Sequence, residues 1–386
     1  GWSMLVGDAT LLIDRSQGLA RIEAAATAGN DRLTGGTGTQ IVVGDNLVSG
    51  AFGVLTRPTT LTSTGAGGAD VIATVHVAAI ILAGGGADSI TATGAQAILG
   101  DTGTVTLAAD GRALRAVSDG AAGGAADRIA LADAGAVVIG GDGADLISAT
   151  GGVNILLGDD GDITFAATGA DRVESLWTAR SGADTLTGGS GRDLILGGGG
   201  ADRITTGEGD NIAFGDNAIL SGLAAVIAAG QLLPRENASL VILASATDAT
   251  MGAGDSISAG NGRNLMVGGQ GADTILGGSG ADDILGGHFI DVARQNVTVM
   301  ALADGNNVID AGAGDDVVLA AHGLIQISAN NLDLRLRDSG GSVAADPTGR
   351  LARRILSYTD PQATEGRFGA NTVAGGAGSD MLFGGQ

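Results

Sequence analysis

The chain of 386 residues is strongly acidic, with 42 acidic and 20 basic residues and a formal net charge of −22. This charge argues against a nucleic-acid partner, because such binding depends on cationic side chains that neutralise phosphates. The absence of cysteine excludes disulfides, and no apolar run approaches the ~20 residues of a membrane helix. With 71 Gly but only two Trp, one Tyr and six Phe, the composition predicts a narrow aliphatic core.

In chain order, apolar residues recur nine positions apart, in blocks that are separated by longer excursions. The blocks begin at Leu33, Ile72, Ile129, Leu186, Ile257, Ile309 and Val373. The second block, for example, contains Ile72, Ile81, Ile90 and Leu99. We interpret the chain as one continuous solenoid with modules at about 1–45, 46–101, 102–159, 160–216, 217–288 and 289–322, a long Arg-rich insertion at 323–370 and a further repeat at 371–386.

A nine-residue period has a direct physical explanation. Six Gly-rich residues make a tight turn, since glycine adopts backbone angles that a Cβ blocks. Three residues make a short strand whose central apolar side chain points inward. Two such units close one coil, so Asp residues 18 apart, such as Asp184 and Asp202, stack along one edge. Stacked carboxylates repel, and a hard cation with oxygen ligands such as Ca²⁺ relieves that repulsion.

Acidic or amide residues follow the turns in phase with the apolar columns. The predicted metal-binding residues are Asp70, Asp88, Asp145, Asp184, Asp193, Asp202, Asn211, Asp255, Asp273, Asp282, Asp316 and Asp380. The glycines predicted to shape these sites are Gly140, Gly143, Gly188, Gly191, Gly197, Gly200, Gly268, Gly271, Gly277 and Gly280. Incomplete repeats and module exits add the candidates Asp31, Asp127, Asp159, Asp162 and Asp216.

These turns resemble the calcium-binding nonapeptide of the hemolysin-type, or RTX (repeats-in-toxin), family, which reads Gly-Gly-x-Gly-x-Asp followed by an apolar residue. Full matches stand at 140–145, 188–193, 197–202, 268–273, 277–282 and 375–380. The resemblance implies an all-β, right-handed parallel β-roll, multiple Ca²⁺ ions, calcium-dependent folding and export from a Gram-negative bacterium. An extracellular or cell-surface location follows from the same resemblance.

Each excursion after a module adds about 21 residues and carries a hairpin signal. Thr104–Leu107 and Ala113–Val117 flank an Asp110-Gly111 turn, and 163–165 with 173–177 repeat the plan. We therefore predict β-hairpin fins that project from the roll about every 57 residues. The segment 223–229 fits a short helix or a strand equally well.

Other polar residues allow two interpretations. The Gly-Asp pair at each module exit either caps local backbone N–H groups, which we favour, or binds metal, for which the run 159–162 is the best case. Ala79 and Ala136 replace Asp, which predicts a metal-free edge in their coils. The histidines His76, His288 and His322 lack catalytic partners in the sequence, and we assign them to turns. We predict no enzyme.

The leading functional hypothesis is a calcium-stiffened structural segment of a large secreted surface or filament protein. The chain begins and ends within a repeat, which predicts that it is part of a longer protein. Self-association through the fins or the insertion would build a filament or surface layer. Two alternatives remain: a polysaccharide-binding adhesin module, and an export roll attached to an enzyme or toxin elsewhere in the full protein.

Overall fold

The structure is a computed structural model in which the chain forms two compact units, Gly1–Gly189 and Ser190–Gln386. Each unit is described by itself. The described residues are 2–14, 19–24, 28–36, 39–49, 52–53, 58–75, 78–120, 124–132, 135–176, 181–228, 241–245, 252–289, 304–327, 336–337, 343–344, 353–357 and 369–384.

The first unit consists of short strands. They are β1 (Trp2–Val6), β2 (Ala9–Asp14), β3 (Leu19–Ala24), β4 (Arg32–Thr34), β5 (Thr39–Val43), β6 (Leu47–Ser49), β7 (Phe52–Gly53), β8 (Thr60–Ser63), β9 (Val71–Thr74), β10 (Ala79–Leu82), β11 (Ser89–Ala92), β12 (Ala95–Leu99), β13 (Gly103–Leu107), β14 (Ala113–Ser118), β15 (Arg128–Leu131), β16 (Ala136–Ile139), β17 (Leu146–Ala149), β18 (Ile155–Leu157), β19 (Gly161–Ala166), β20 (Gly169–Ser175) and β21 (Thr185–Thr187).

The second unit adds one short helix, α1 (Leu223–Ala228), to the strands. They are β22 (Leu194–Leu196), β23 (Arg203–Gly207), β24 (Ile212–Phe214), β25 (Ala218–Ser221), β26 (Val241–Ser245), β27 (Ser256–Ala259), β28 (Leu265–Val267), β29 (Thr274–Leu276), β30 (Asp283–Leu285), β31 (Val308–Asp310), β32 (Val317–Leu319), β33 (Gly323–Ile327), β34 (Leu336–Arg337), β35 (Val343–Ala344), β36 (Arg353–Ser357), β37 (Thr372–Ala374) and β38 (Met381–Phe383).

Two parallel sheets form the roll of the first unit, and the chain passes from one to the other at every turn. One sheet, here called the covered sheet, has the order β1-β5-β10-β12-β16-β18. The other, here called the open sheet, has the order β4-β9-β11-β15-β17-β21. Along the open sheet, buried and more exposed residues alternate, whereas most residues of the later covered strands are buried. The predicted parallel β-roll is therefore confirmed.

The apolar columns form the inside of the roll. In the open sheet Ile90 pairs with both Ile72 and Ile129, and all three side chains are buried. In the covered sheet one predicted member is wrong by a residue: Ile98, rather than Leu99, pairs with Ile81. The strand β12 carries a register shift between its first residues, and this irregularity breaks the nine-residue spacing.

The excursions form hairpins, as predicted, but they do not project from the roll. The hairpins β13–β14 and β19–β20 pair with each other through β14 and β19, and β8 joins them through β13. This antiparallel fin sheet lies on the covered sheet: the backbone N–H of Ala113 donates to Oε1 of Gln96 in β12 at 3.0 Å. Val105, Ile163 and Val173 are buried. Burial of these apolar residues favours a packed third sheet over separate fins.

The second unit repeats the two-sheet plan. Its parallel sheets have the orders β22-β24-β28-β30-β32-β38 and β23-β27-β29-β31-β37. The predicted columns are confirmed, since Ile275 pairs with both Ile257 and Ile309. The stretch 223–229 contains α1, which settles the choice between helix and strand. No helix in the described part of the chain is long and apolar enough to cross a membrane.

The fin sheet generates a stability prediction. Ile163→Ala in β19 removes a fully buried side chain, and we expect it to lower the free energy of unfolding by about 2–5 kcal/mol. Leu114→Ala, in the neighbouring strand β14, removes a side chain that is 37% exposed and should cost about 0.5 kcal/mol or less. Urea unfolding in saturating Ca²⁺ measures both. Equal small losses would mean that the fins do not pack.

Candidate metal centres

The turns between the two sheets all follow one six-residue scheme, in which the repeated Asp occupies position six. In the turn 140–145, glycines at positions two and four, Gly141 and Gly143, have φ angles of 111° and 117°. A side chain is strained at such angles. The sequence predicted a site-shaping glycine at position four in Gly143, Gly191, Gly200, Gly271 and Gly280. Four of these have positive φ, whereas Gly191 does not. Position two was missed, and its positive φ explains the second glycine of the pattern.

The position-six carboxylates form continuous ladders of hydrogen bonds between adjacent coils. In the first unit the backbone N–H of each Asp donates to Oδ1 of the next Asp, at 2.7 Å in every step. This ladder consists of Asp31, Asp70, Asp88, Asp127, Asp145 and Asp184. The structure thus brings the weaker sequence candidates Asp31 and Asp127 into the same row as Asp145, which ends a full match.

The second unit has two such ladders, one on each edge of its roll. One consists of Asp202, Asp255, Asp273, Asn307 and Asn371, with donor–acceptor distances of 2.7–2.9 Å. The other consists of Asp193, Asn211, Asn264, Asp282, Asp316 and Asp380, with distances of 2.7–3.2 Å. Sequence reasoning had not singled out Asn264, Asn307 or Asn371 as site residues.

The second oxygen of the carboxylates shows why a cation fits. Oδ2 is buried and accepts no hydrogen bond in Asp70, Asp88, Asp127, Asp145, Asp255, Asp273 and Asp282. A buried carboxylate oxygen without a donor is costly. Near the Cα of Gly44, Oδ2 of Asp70 and the carbonyl oxygen of Ala83 converge, so that a Cβ on this glycine would collide with both. Two acceptors that face each other repel unless a cation or a proton lies between them.

The same pairing of acceptors recurs along both units. Oδ2 of Asp127 converges with the carbonyl oxygen of Gly140 at Gly100, and Oδ2 of Asp273 converges with that of Gly286 at Gly268. No three acidic or histidine side chains in the described ranges make a cluster that could hold a metal. Each cage would therefore combine one or two carboxylates with turn carbonyls, the oxygen donor set that Ca²⁺ accepts. The residues present fit the ion.

The electrostatics of the ladders also favour a bound cation. Burial raises the pKa of Asp88 to about 9, and neighbouring carboxylates add to this effect. Burial likewise raises the pKa of Asp145 to about 10 and that of Asp273 to about 8. Without a cation these side chains would take up protons on folding, because burial penalises the charged form.

The Asp at a module exit has a role that the sequence had only partly suggested. The backbone N–H groups of Gly44 and Asp45 donate to Leu82 and Ala83, as positions one and two of a turn do in the next coil. Asp70 supplies position six, so the excursion 46–66 is inserted within one nonapeptide turn. Oδ2 of Asp45 accepts the N–H of Gly68 at 2.9 Å, which closes the turn across the insertion.

This closure is repeated in the later module, since Oδ1 of Asp159 accepts the N–H of Gly182 at 3.0 Å. These two exit Asp residues therefore cap backbone N–H groups, as favoured, but the donors lie across the excursion and are not local. At the exit residue Asp101, by contrast, both carboxylate oxygens are buried without a hydrogen-bond donor. Asp216 is buried and accepts the N–H of Gln270 in the adjacent coil. The prediction for Asp162 is not supported by the geometry: it lies in β19 and pairs with Arg115 at 2.6 Å.

Two of the three histidines belong to the described part of the chain. His76 lies outside the described residues. His288 and His322 are buried and stacked, with ring centroids 5.0 Å apart, and the backbone N–H of His288 donates to Nδ1 of His322 at 2.9 Å. Their predicted place at the turns is correct, but the stacked pair was not foreseen.

Removal of calcium should make folding depend on pH. The folded pKa values of Asp127, at about 7, and Asp145, at about 10, lie above the ordinary value of 3.8. These groups therefore stabilise the cation-free fold below about pH 4, and this contribution disappears as the pH rises through about 7 to 10. In chelator, circular dichroism should show β structure at acid pH that is lost towards neutral pH and restored by Ca²⁺. A pH-independent β signal in chelator would refute the explanation.

Single ladder positions can be tested by counting ions. Asp273→Ala removes a buried carboxylate of the second unit, and we expect the chain to bind about one Ca²⁺ fewer by calorimetric titration. The control is Asp110→Ala, because Asp110 lies in an exposed fin turn where it accepts the N–H of Arg112. The control should leave the ion count unchanged.

Comparison with known proteins agrees with the geometry of the turns. The family model described as "RTX calcium-binding nonapeptide repeat (4 copies)" matches the chain over six segments, residues 24–50, 133–162, 178–213, 252–292, 303–321 and 365–386. No curated protein matches the chain. The ladder also passes through Asp70, Asp88 and Asp127, outside the matched residues. The matched segments and the parallel roll together show that this chain contains RTX calcium-binding nonapeptide repeats, and such repeats bind Ca²⁺ at multiple sites.

Proposed function

We propose that the chain is a calcium-stiffened structural segment of a secreted or cell-surface protein. The observation that supports this most is the continuity of the carboxylate ladders, which join successive coils within each unit at 2.7–3.2 Å. A cation at a carboxylate step links the adjacent coils by direct coordination, so these steps become rigid only when the ions are bound.

The fin sheet contributes to the same role in the first unit. Its strands are antiparallel to each other, and it packs on the covered sheet, whose strands also pair between coils. A bend between coils would have to break hydrogen bonds in all three sheets of this unit. This layered construction supports a mechanical function over a catalytic one.

An extracellular location suits the chemistry of the sites. Proteins with RTX repeats are typically secreted, and extracellular calcium-binding modules work at about 10⁻⁴–10⁻³ M Ca²⁺. The formal charge of −22 keeps the cation-free chain extended through repulsion. We propose that the chain remains unfolded where calcium is scarce and folds where it is plentiful.

We further propose self-association through the segment 323–369. Most of this segment lies outside the described residues, so the argument rests on its charge. It holds six Arg and five acidic residues, a net charge of +1, whereas the remaining 14 basic and 37 acidic residues give −23. A weakly basic island on an acidic chain is suited to the acidic surface of a second copy.

The test replaces Arg350, Arg353 and Arg354 with Glu in the full chain. In Ca²⁺ we expect assembly to weaken roughly tenfold, the sum of three exposed ion pairs, with an unchanged circular dichroism spectrum. Sedimentation and electron microscopy measure assembly over a range of salt. The control replaces Arg32, Arg128 and Arg203 with Glu, which changes the charge by the same amount. These three exposed residues lie in the strands β4, β15 and β23.

If both triple variants assemble as the wild type does, the segment is not the docking site. If the wild-type chain neither folds on calcium addition nor forms an elongated particle, the structural role itself is wrong.

A further inference from the structure

Five of the described coils carry Asn where most others carry Asp at position six: Asn154, Asn211, Asn264, Asn307 and Asn371. Oδ1 of each accepts a backbone N–H of the preceding coil, at 2.8–3.2 Å, as an Asp of the ladder does. This N–H requires an oxygen, which fixes the orientation of the amide. The NH₂ group must then lie where an Asp places the Oδ2 that has no hydrogen-bond donor.

The NH₂ group of Asn307 donates a hydrogen bond to the carbonyl oxygen that, in an Asp turn, faces Oδ2 of the Asp. A Cβ on Gly268 would collide with Oδ2 of Asp273 and with the carbonyl oxygen of Gly286. One coil later, a Cβ on Gly286 would collide with Nδ2 of Asn307 and with the carbonyl oxygen of Ala320. Here the donor–acceptor distance is 3.1 Å, a normal hydrogen bond. An acceptor pair that needs a cation has become a donor–acceptor pair that does not.

Three other Asn residues also donate hydrogen bonds through the NH₂ group, although to other acceptors. Nδ2 of Asn154 donates to the carbonyl oxygens of Gly151 and Gly188 at 3.1 and 3.2 Å. Nδ2 of Asn211 donates to the carbonyl oxygen of Gly209 at 3.0 Å, and Nδ2 of Asn264 donates to Oδ1 of Asp282 at 3.0 Å. Every one of these amides thus supplies hydrogen to an acceptor in its own turn or in the next coil.

The surroundings of Asn307 give independent support. Where other modules have an exit Asp such as Asp45 or Asp216, the coils of this region have Gly287 and Ala321. The next residues along, His288 and His322, form the buried stack. The junction between these two coils therefore has neither an exit carboxylate nor a position-six carboxylate. The nearby Asp304 accepts a hydrogen bond from Nδ2 of Asn307 at 3.0 Å.

We propose that position six sorts the steps of the roll into two kinds. Asp steps are closed by Ca²⁺, and Asn steps are closed by the amide itself, which takes the place of the ion. The inference rests on the calcium binding of the proposed function and removes Asn211 from the metal ligands that the nonapeptide pattern predicts. The Asn steps act as calcium-independent staples that hold neighbouring coils in register before the ions bind.

The test is Asn264→Asp in the full chain. The new carboxylate faces Asp282 and should create a site, so that calorimetric titration and native mass spectrometry count one Ca²⁺ more than in the wild type. In chelator, the amide hydrogens of 207–214 and 260–267 should exchange up to about tenfold faster, because the staple is lost. The matched control is Asn261→Asp, with the same charge change at exposed position three of the same turn, which should alter neither measurement.

The reverse substitution, Asp to Asn, tests the same inference if Asn264→Asp fails to fold. Asp88→Asn should bind one ion fewer yet keep slow exchange at this step in chelator, whereas Asp88→Ala should lose both the ion and the protection. An unchanged ion count in Asn264→Asp, or identical behaviour of Asp88→Asn and Asp88→Ala, overturns the inference. A wild-type chain that binds no Ca²⁺ would instead overturn the proposed function.

Discussion

Burial of stacked carboxylates is the constraint on which the rest of this structure depends. The roll can close only if each coil lies against the next, and this contact places one acidic oxygen after another in a site from which water is excluded. One oxygen of each carboxylate is satisfied by a backbone N–H of the preceding coil. The other faces a carbonyl oxygen, so the fold creates a requirement for cations that its own side chains do not meet.

The same constraint explains how the roll tolerates long excursions. An insertion within a metal-binding turn would separate the two halves of the cage, unless something held its ends together. Asp45 and Asp159 do so by accepting backbone N–H groups of Gly68 and Gly182, on the far side of the inserted residues. The excursions can then vary in sequence while the cage keeps its geometry, and in the first unit their hairpins merge into a sheet that covers the roll.

The rows of sites are consequently uneven along the chain. The edge that contains Ala79 and Ala136 lacks carboxylates at those coils, while Asn residues interrupt both ladders of the second unit. Mechanical strength in such a roll comes from two sources with different sensitivities: ion coordination, which responds to calcium and pH, and amide hydrogen bonds, which respond to neither. A segment built in this way can keep its coils in register while its stiffness is adjusted by the medium.

The sequence alone determined the coil, because a period of nine with an apolar residue in phase is a local property. It also identified the position-six carboxylates, including Asp88, Asp145 and Asp273. The tertiary structure decided what those residues meet. Their partners lie 18 to 64 residues away along the chain, beyond the reach of any local pattern. For this reason the sequence placed Leu99 in a column that Ile98 occupies and predicted separate fins where the hairpins merge. It also grouped Asn211 with the carboxylates, although its amide donates hydrogen bonds to the carbonyl oxygens of Glu208 and Gly209.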